Sequence, residues 1–248
     1  MFDIQSLLLL FTVGAISGFI NVNAGGGSSL TLPTLIFLGL DGALANGTNR
    51  ISILIQSFAG VYSFKRENFS DFKLSLRIAW LTLPGSIIGS ILVINISDEL
   101  FEKILGAVMI GIILSMIIPR KKINVIENNN KISWNVYLAM FGIGFYGGFI
   151  QVGVGFILMA VLQYLMKLNL VLVNMHKVFI VMIYTVPATI VFILSGNVNW
   201  GLALTLAAGN SLGAWWAAKF AVKKGEKLIK AVLIAAILIM SLKLFDVF

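Results

Sequence analysis

Residues Gly18 to Ser29, GFINVNAGGGSS, decide how this chain folds. The stretch lies inside an apolar region and interrupts it. Asn21 and Asn23 are polar, and Gly25, Gly26 and Gly27 each give up about 1 kcal/mol of helix propensity. A related stretch returns at Gly148 to Gly155, GFIQVGVG. At a shift of 130 residues, Gly18/Gly148, Phe19/Phe149, Ile20/Ile150, Val22/Val152 and Gly25/Gly155 are identical pairs. An interrupted apolar segment at matching places in two halves marks a chain built from two copies of one membrane unit.

Composition agrees with a membrane setting. Of the 248 residues 59% are hydrophobic and 11% charged, and the mean hydropathy is +0.99. A soluble domain carries about 25% charged residues. So few charges cannot cover a water-soluble protein of this size, so lipid is the expected outer solvent. The absence of Cys excludes disulfides, thiolate metal sites and Cys nucleophiles. The start, Met-Phe-Asp-Ile-Gln, has no basic region and no small-residue cleavage site ahead of a polar mature start. The first apolar stretch is therefore expected to remain as a membrane segment.

A spanning helix needs about 20 apolar residues. The first half reads as Ile4 to about Val22, a short Ser28 to about Leu40, Leu44 to about Phe64, Leu74 to about Ile94 and a fifth segment from the Ser97-Asp98-Glu99 cap to about Ile118. The polar run 119–131, PRKKINVIENNNK, is the expected linker. The second half reads as Ile132 to Val152, a short Val154 to Met166, Val171 to Leu194, Trp200 to about Ala221 and Leu228 to Phe245. Pro33, Pro84 and Pro187 are expected to kink or break helices. The match between halves continues beyond the glycines. Asn46 falls on Asn174 at a shift of 128, and Gly85 and Gly89 on Gly209 and Gly213 at 124.

The expected fold class is all-α: a polytopic membrane protein of two repeats, 1–118 and 132–248, of about five segments each. Short or broken second and seventh segments give 8–10 helices. An odd repeat enters the membrane from opposite sides in its two copies, so the repeats are inverted. With connections placed alternately on two sides, 14 of the 18 Lys and Arg residues fall on one side and two on the other. The positive-inside rule makes the basic side cytoplasmic, with the linker there and both termini outside. The net charge of +8 is then a topology signal, and no nucleic-acid partner is expected.

Few polar groups lie inside the apolar segments. Asn21, Asn23, Gly25, Gly26, Gly27 and Ser28 form the first group. Glycines let a ligand approach the backbone, and Ser28 or Ser29 is expected to cap a helix whose N-terminus suits an anion. Close helix packing is the competing reading. Gln151, Gly153 and Gly155 repeat the group. Thr48, Asn49 and Arg50, with His176 and Lys177 in the second half, form another. A cation inside an apolar segment points to function, against snorkelling to the headgroups. His176, the only His, reads as a packing residue before a titrating one. Gln163, Tyr146, Tyr184 and Asn210 read as interhelical hydrogen-bond partners. No Asp or Glu falls within a confident membrane segment, which favours an anionic substrate. A potential negative inside drives anion exit by about 2.3 kcal/mol per charge per 100 mV. No metal-ligand spacing, nucleophile–base pair or phosphate loop stands out. No cofactor, metal or enzymatic activity is expected.

With GFINVNAGGGSSLTLPTL, ANGTNR and GFYGGFIQVGVG in that order, the chain resembles the sulfite exporter TauE/SafE family of membrane permeases over essentially its whole length. The resemblance implies transport of small sulfur-containing anions such as sulfite, thiosulfate or organosulfonates across the cell membrane. Phe156 stands where a further glycine is common, and Asn23 where a glycine often stands. The expected mechanism is alternating access around a midplane anion site. The alternative is a cation-coupled carrier of a neutral or zwitterionic solute. The partners expected are the anion and the lipid bilayer, with a homodimer allowed.

Overall fold

A computed structural model of the chain describes residues 3–69, 72–117 and 132–220. All regular structure in these residues is helical: α1 (Ile4–Ala24), α2 (Ser28–Phe37), α3 (Gly42–Arg66), α4 (Phe72–Ala79), α5 (Thr82–Val93), α6 (Asp98–Ile117), α7 (Trp134–Phe149), α8 (Val154–Ala160), α9 (Leu170–Leu194) and α10 (Trp200–Phe220). A π-helical turn, Val161–Leu165, continues α8. The expected linker 119–131 and the tenth segment, Leu228 to Phe245, lie outside the described residues.

Among the described residues α1 and α9 can each cross a membrane by length and composition, and α4 with α5, bent by 49° at their break, has the composition of a broken span or a re-entrant loop. Large apolar side chains such as Phe58, Leu114, Leu138, Leu204 and Trp216 face outward, as they do where lipid is the solvent.

The fourth segment, read as Leu74 to about Ile94 with Pro84 expected to kink or break it, is two helices. Pro84 stands third in α5. Proline lacks an N–H and is tolerated in a first helical turn, so the helix restarts just before it. The hydroxyl of Thr82 donates to Ala79 O across the break. Pro187 breaks nothing: α9 runs through it for 25 residues.

The principal helix contacts come in two matching sets. In one, α1 lies on α10: a Cβ at Gly18 would stand 2.0 Å from Asn210 O, and one at Gly213 2.0 Å from Ala15 O. In the other, α7 lies on α5: a Cβ at Gly148 would stand 2.1 Å from Ser86 O, and one at Gly89 2.1 Å from Phe145 O. Shifts of 130 and 124 carry each residue of the first set onto one of the second. The first helix of each half is thus pressed, backbone to backbone, onto the fourth segment of the other half. Glycines permit this approach in a medium where apolar burial alone does not drive helices together.

The two ends of the bundle differ in charge. Gly42 N donates to Asp98 Oδ1 at 2.8 Å, and Gly47 lies against Asn197 O. The turns at Asp41, Asp98 and Asn197 therefore share one end. At the other end Phe72 stacks on Phe179 at 4.9 Å, near the turns that carry Lys65, Arg66, Lys73 and Lys167.

Candidate functional site

The site begins where the two interrupted segments meet. After α1, Gly25 adopts φ +87° and its N–H returns to Asn21 O at 2.9 Å and Ile20 O at 3.2 Å, closing the helix. This left-handed conformation suits glycine. A Cβ on Gly25 would stand 2.5 Å from Gly155 C, and one on Gly155 would stand 2.4 Å from Gly25 Cα. At these two positions the backbone that glycine leaves accessible is met by the other break. Gly153 (φ +74°) faces the side chain of Ile112.

Gly27 occupies the N-cap of α2, against Ser17 O, and no side chain caps the helix. Ser28 and Ser29 are the first two helical residues, not caps. The N–H groups of Gly26, Gly27 and Ser28 make no hydrogen bond among the described residues, and Ser29 Oγ is buried without a partner.

The two cations sit on the carboxyl ends of the broken helices. Arg50 is 0% exposed. Its Nη1 donates to Gly147 O at 2.9 Å and to Gln151 Oε1 at 3.0 Å, and its Nη2 donates to Gly148 O. One turn away on α3, Asn46 Nδ2 donates to Phe149 O at 2.8 Å. The last three carbonyls of α7 are thus met by α3. Lys177 on α9 does the corresponding work on α1: Nζ donates to Val22 O at 2.8 Å and to Asn174 Oδ1 at 2.9 Å, and lies 3.7 Å from Met159 Sδ. Helix C-termini present carbonyls without intrahelical partners and about half a negative charge, which is what a buried cation needs where carboxylates are lacking. Snorkelling does not describe either residue, since Lys177 too is only 2% exposed.

Lys177 also borders a small cavity of ≈ 10 Å³, with Asn21, Gln56, Ser57, Gly155, Val178 and Val181. Asn21 Nδ2 donates to Gln56 Oε1 across it at 3.2 Å. No carboxylate lines it. The volume holds about one water.

The remaining candidates are placed elsewhere. Asn23 turns back on its own helix, to Phe19 O at 3.1 Å. Thr48 Oγ1 accepts from Asn199 N at 3.0 Å, near the start of α10. His176 Nδ1 lies 2.6 Å from Ser75 Oγ, facing α4. Asn49 Oδ1 accepts from Thr31 at 2.7 Å, and its amide nitrogen is buried without a partner. Gln151 holds a left-handed φ of +61°; its side chain, fixed between Arg50 and Thr185 Oγ1 at 3.3 Å, offsets the strain that a non-glycine residue carries there.

Two cavity residues, Gln56 and Ser57, escape sequence reading. A signal exists: they stand seven residues after Asn49 and Arg50, so α3 presents them on the same face.

Comparisons with known proteins bear on this geometry. A family model described as sulfite exporter TauE/SafE matches residues 10–244. A probable membrane transporter protein of Haemophilus influenzae is 28% identical over 247 residues, spanning 97% of this chain and 95% of the relative. The probable membrane transporter protein YfcA of Escherichia coli K12 is 29% identical over 252 residues, spanning 98% and 92%. The probable membrane transporter protein YunE of Bacillus subtilis is 23% identical over 251 residues, spanning 90% of each. No solved structure matches the chain.

Proposed function

Because this chain belongs to the sulfite exporter TauE/SafE family of membrane transporters, we propose that it moves a small sulfur-containing oxyanion, such as sulfite, thiosulfate or a short sulfonate, out across the plasma membrane. The observation that carries this reading is the cavity at the meeting of the two breaks. Lys177, Asn21, Gln56 and Ser57 line one space, which no carboxylate lines. These groups supply charge-assisted and neutral donors to an oxyanion. The free N–H groups at the start of α2 add a positive dipole end nearby.

At ≈ 10 Å³ the cavity is smaller than any such anion. On this reading the site must widen to admit the anion and open alternately to each side. The exchanged contacts of the two halves support an inverted pair of five-segment repeats rocking about this point. The basic end faces the cytoplasm in this reading, with both termini outside.

The test is flux of labelled sulfite, thiosulfate and a short sulfonate from proteoliposomes, with and without an imposed potential. Saturable flux of one anion, driven by potential, is expected. A second reading has its own support: both cations already donate to helix carbonyls, which suits a cation-coupled carrier of a neutral or zwitterionic solute. Flux that needs a Na⁺ or proton gradient and ignores potential would replace the anion reading with that one.

A further inference from the structure

The two helix-end clamps are built from different parts, and only one of them borders the cavity. On α7, a planar guanidinium and an amide meet three successive carbonyls, and Gln151 braces the guanidinium from the side. Phe192 covers it, with Cζ 4.9 Å from the ring centroid. On α1, the Lys177 ammonium meets Val22 O, with Asn174 Oδ1 and the thioether of Met159 as further contacts. Thioether sulfur is a weak acceptor. An ammonium is a point charge on a flexible stem, whereas a guanidinium is a rigid fork. Arg50 does not line the cavity, and Lys177 does.

We propose that Lys177 is a releasable latch on the broken end of α1. An oxyanion is a stronger acceptor for an ammonium than a neutral carbonyl. Entering beside Asn21, Gln56 and Ser57, it draws Nζ off Val22 O. The last turn of α1 loses its clamp and moves, and the cavity widens to hold the anion. Arg50 and Asn46 meanwhile keep the end of α7 fixed, so binding moves one broken helix against the other. Lys177 acts here as a ligand of the anion and, through Val22, as a positioning residue for α1. The inference rests on the anion reading given above and adds the step that couples binding to motion.

Hydrogen exchange on the full-length protein in lipid nanodiscs tests it, with sodium sulfite as the probe. The readout is exchange at the amides of 22–25, with those of 147–150 as the internal reference. In wild type, sulfite is expected to speed exchange at 22–25 about fivefold and to leave 147–150 unchanged. Lys177→Met is expected to exchange fast at 22–25 without sulfite and to show no further response. Lys177→Arg, which keeps a cationic donor at this position, is expected to restore slow exchange.

A Lys177→Met protein with the wild-type rate at 22–25 would overturn the latch. So would equal acceleration at both helix ends, or no acceleration in wild type by a sulfite that is demonstrably transported. Should Lys177→Met fail to insert, Asn174→Ala takes its place. It removes the brace on the ammonium and is expected to raise exchange at 22–25 about twofold, and an unchanged rate overturns the proposal. If no anion is transported, the functional reading fails alone, and the latch stands or falls on the basal rates of Lys177→Met and wild type.

Discussion

At Arg50 a guanidinium is fully enclosed, with no carboxylate within reach among the described residues. Its charge is met by backbone carbonyls 97 and 98 residues away in the chain. Arg50→Met would strand those carbonyls together with Gln151. It is expected to lower stability by about 2 kcal/mol or more, since each buried acceptor left without its donor costs about 1–3 kcal/mol. Arg50→Lys should recover only part of this, because an ammonium lacks the rigid planar fork that meets Gly147 O, Gly148 O and Gln151 Oε1 together. Thermal unfolding of the purified variants measures both, and equal midpoints for wild type and Arg50→Met would contradict the capping role. Residue type and depth in an apolar segment flagged Arg50 and Lys177 in the sequence. What each touches was not legible, because nothing near position 50 points to position 147. For the same reason Asn46 and Asn174 read there as repeat partners only, although each donates to, or braces, a helix end.

Among the elements, the breaks before α2 and α8 were legible because glycine runs lower helix propensity locally. The bend between α4 and α5 was flagged by Pro84, but its place at Trp80 and Leu81, ahead of the proline, was not, since those residues carry no glycine. The glycine pairs that join helices are testable position by position. A methyl at Gly148 would stand 2.1 Å from Ser86 O, whereas one at Gly142 on the same helix meets nothing within 4 Å. Gly148→Ala should therefore part α7 from α5 and cost about 2 kcal/mol. Gly142→Ala should be neutral or stabilise by up to about 1 kcal/mol. Thermal midpoints of the two variants decide this, and equal losses would show that glycine serves helix flexibility here and not close approach.

For the molecule as a whole, the segregation of charge between the two bundle ends predicts sidedness. The chain lacks Cys, so single reporter cysteines need no background removal. A cysteine at Ser97 should react with a membrane-impermeant maleimide on intact cells, and one at Glu67 only after the cells are opened. Both positions are exposed, at opposite ends. The reverse pattern would invert the orientation, and labelling of both on intact cells would end the two-sided arrangement. By itself, the sequence determined that this is a helical membrane protein and that its helices break before α2 and α8. Those properties are sums over local residues, of hydropathy and of helix propensity, and need no knowledge of what touches what. Only the tertiary structure decided that the two breaks press on each other at Gly25 and Gly155. It alone sent each buried cation to the carboxyl end of the other half's broken helix, and left Lys177 but not Arg50 on the cavity. Those outcomes depend on pairs of residues up to 155 positions apart. An unmatched carbonyl and a buried charge find each other only when the whole bundle closes.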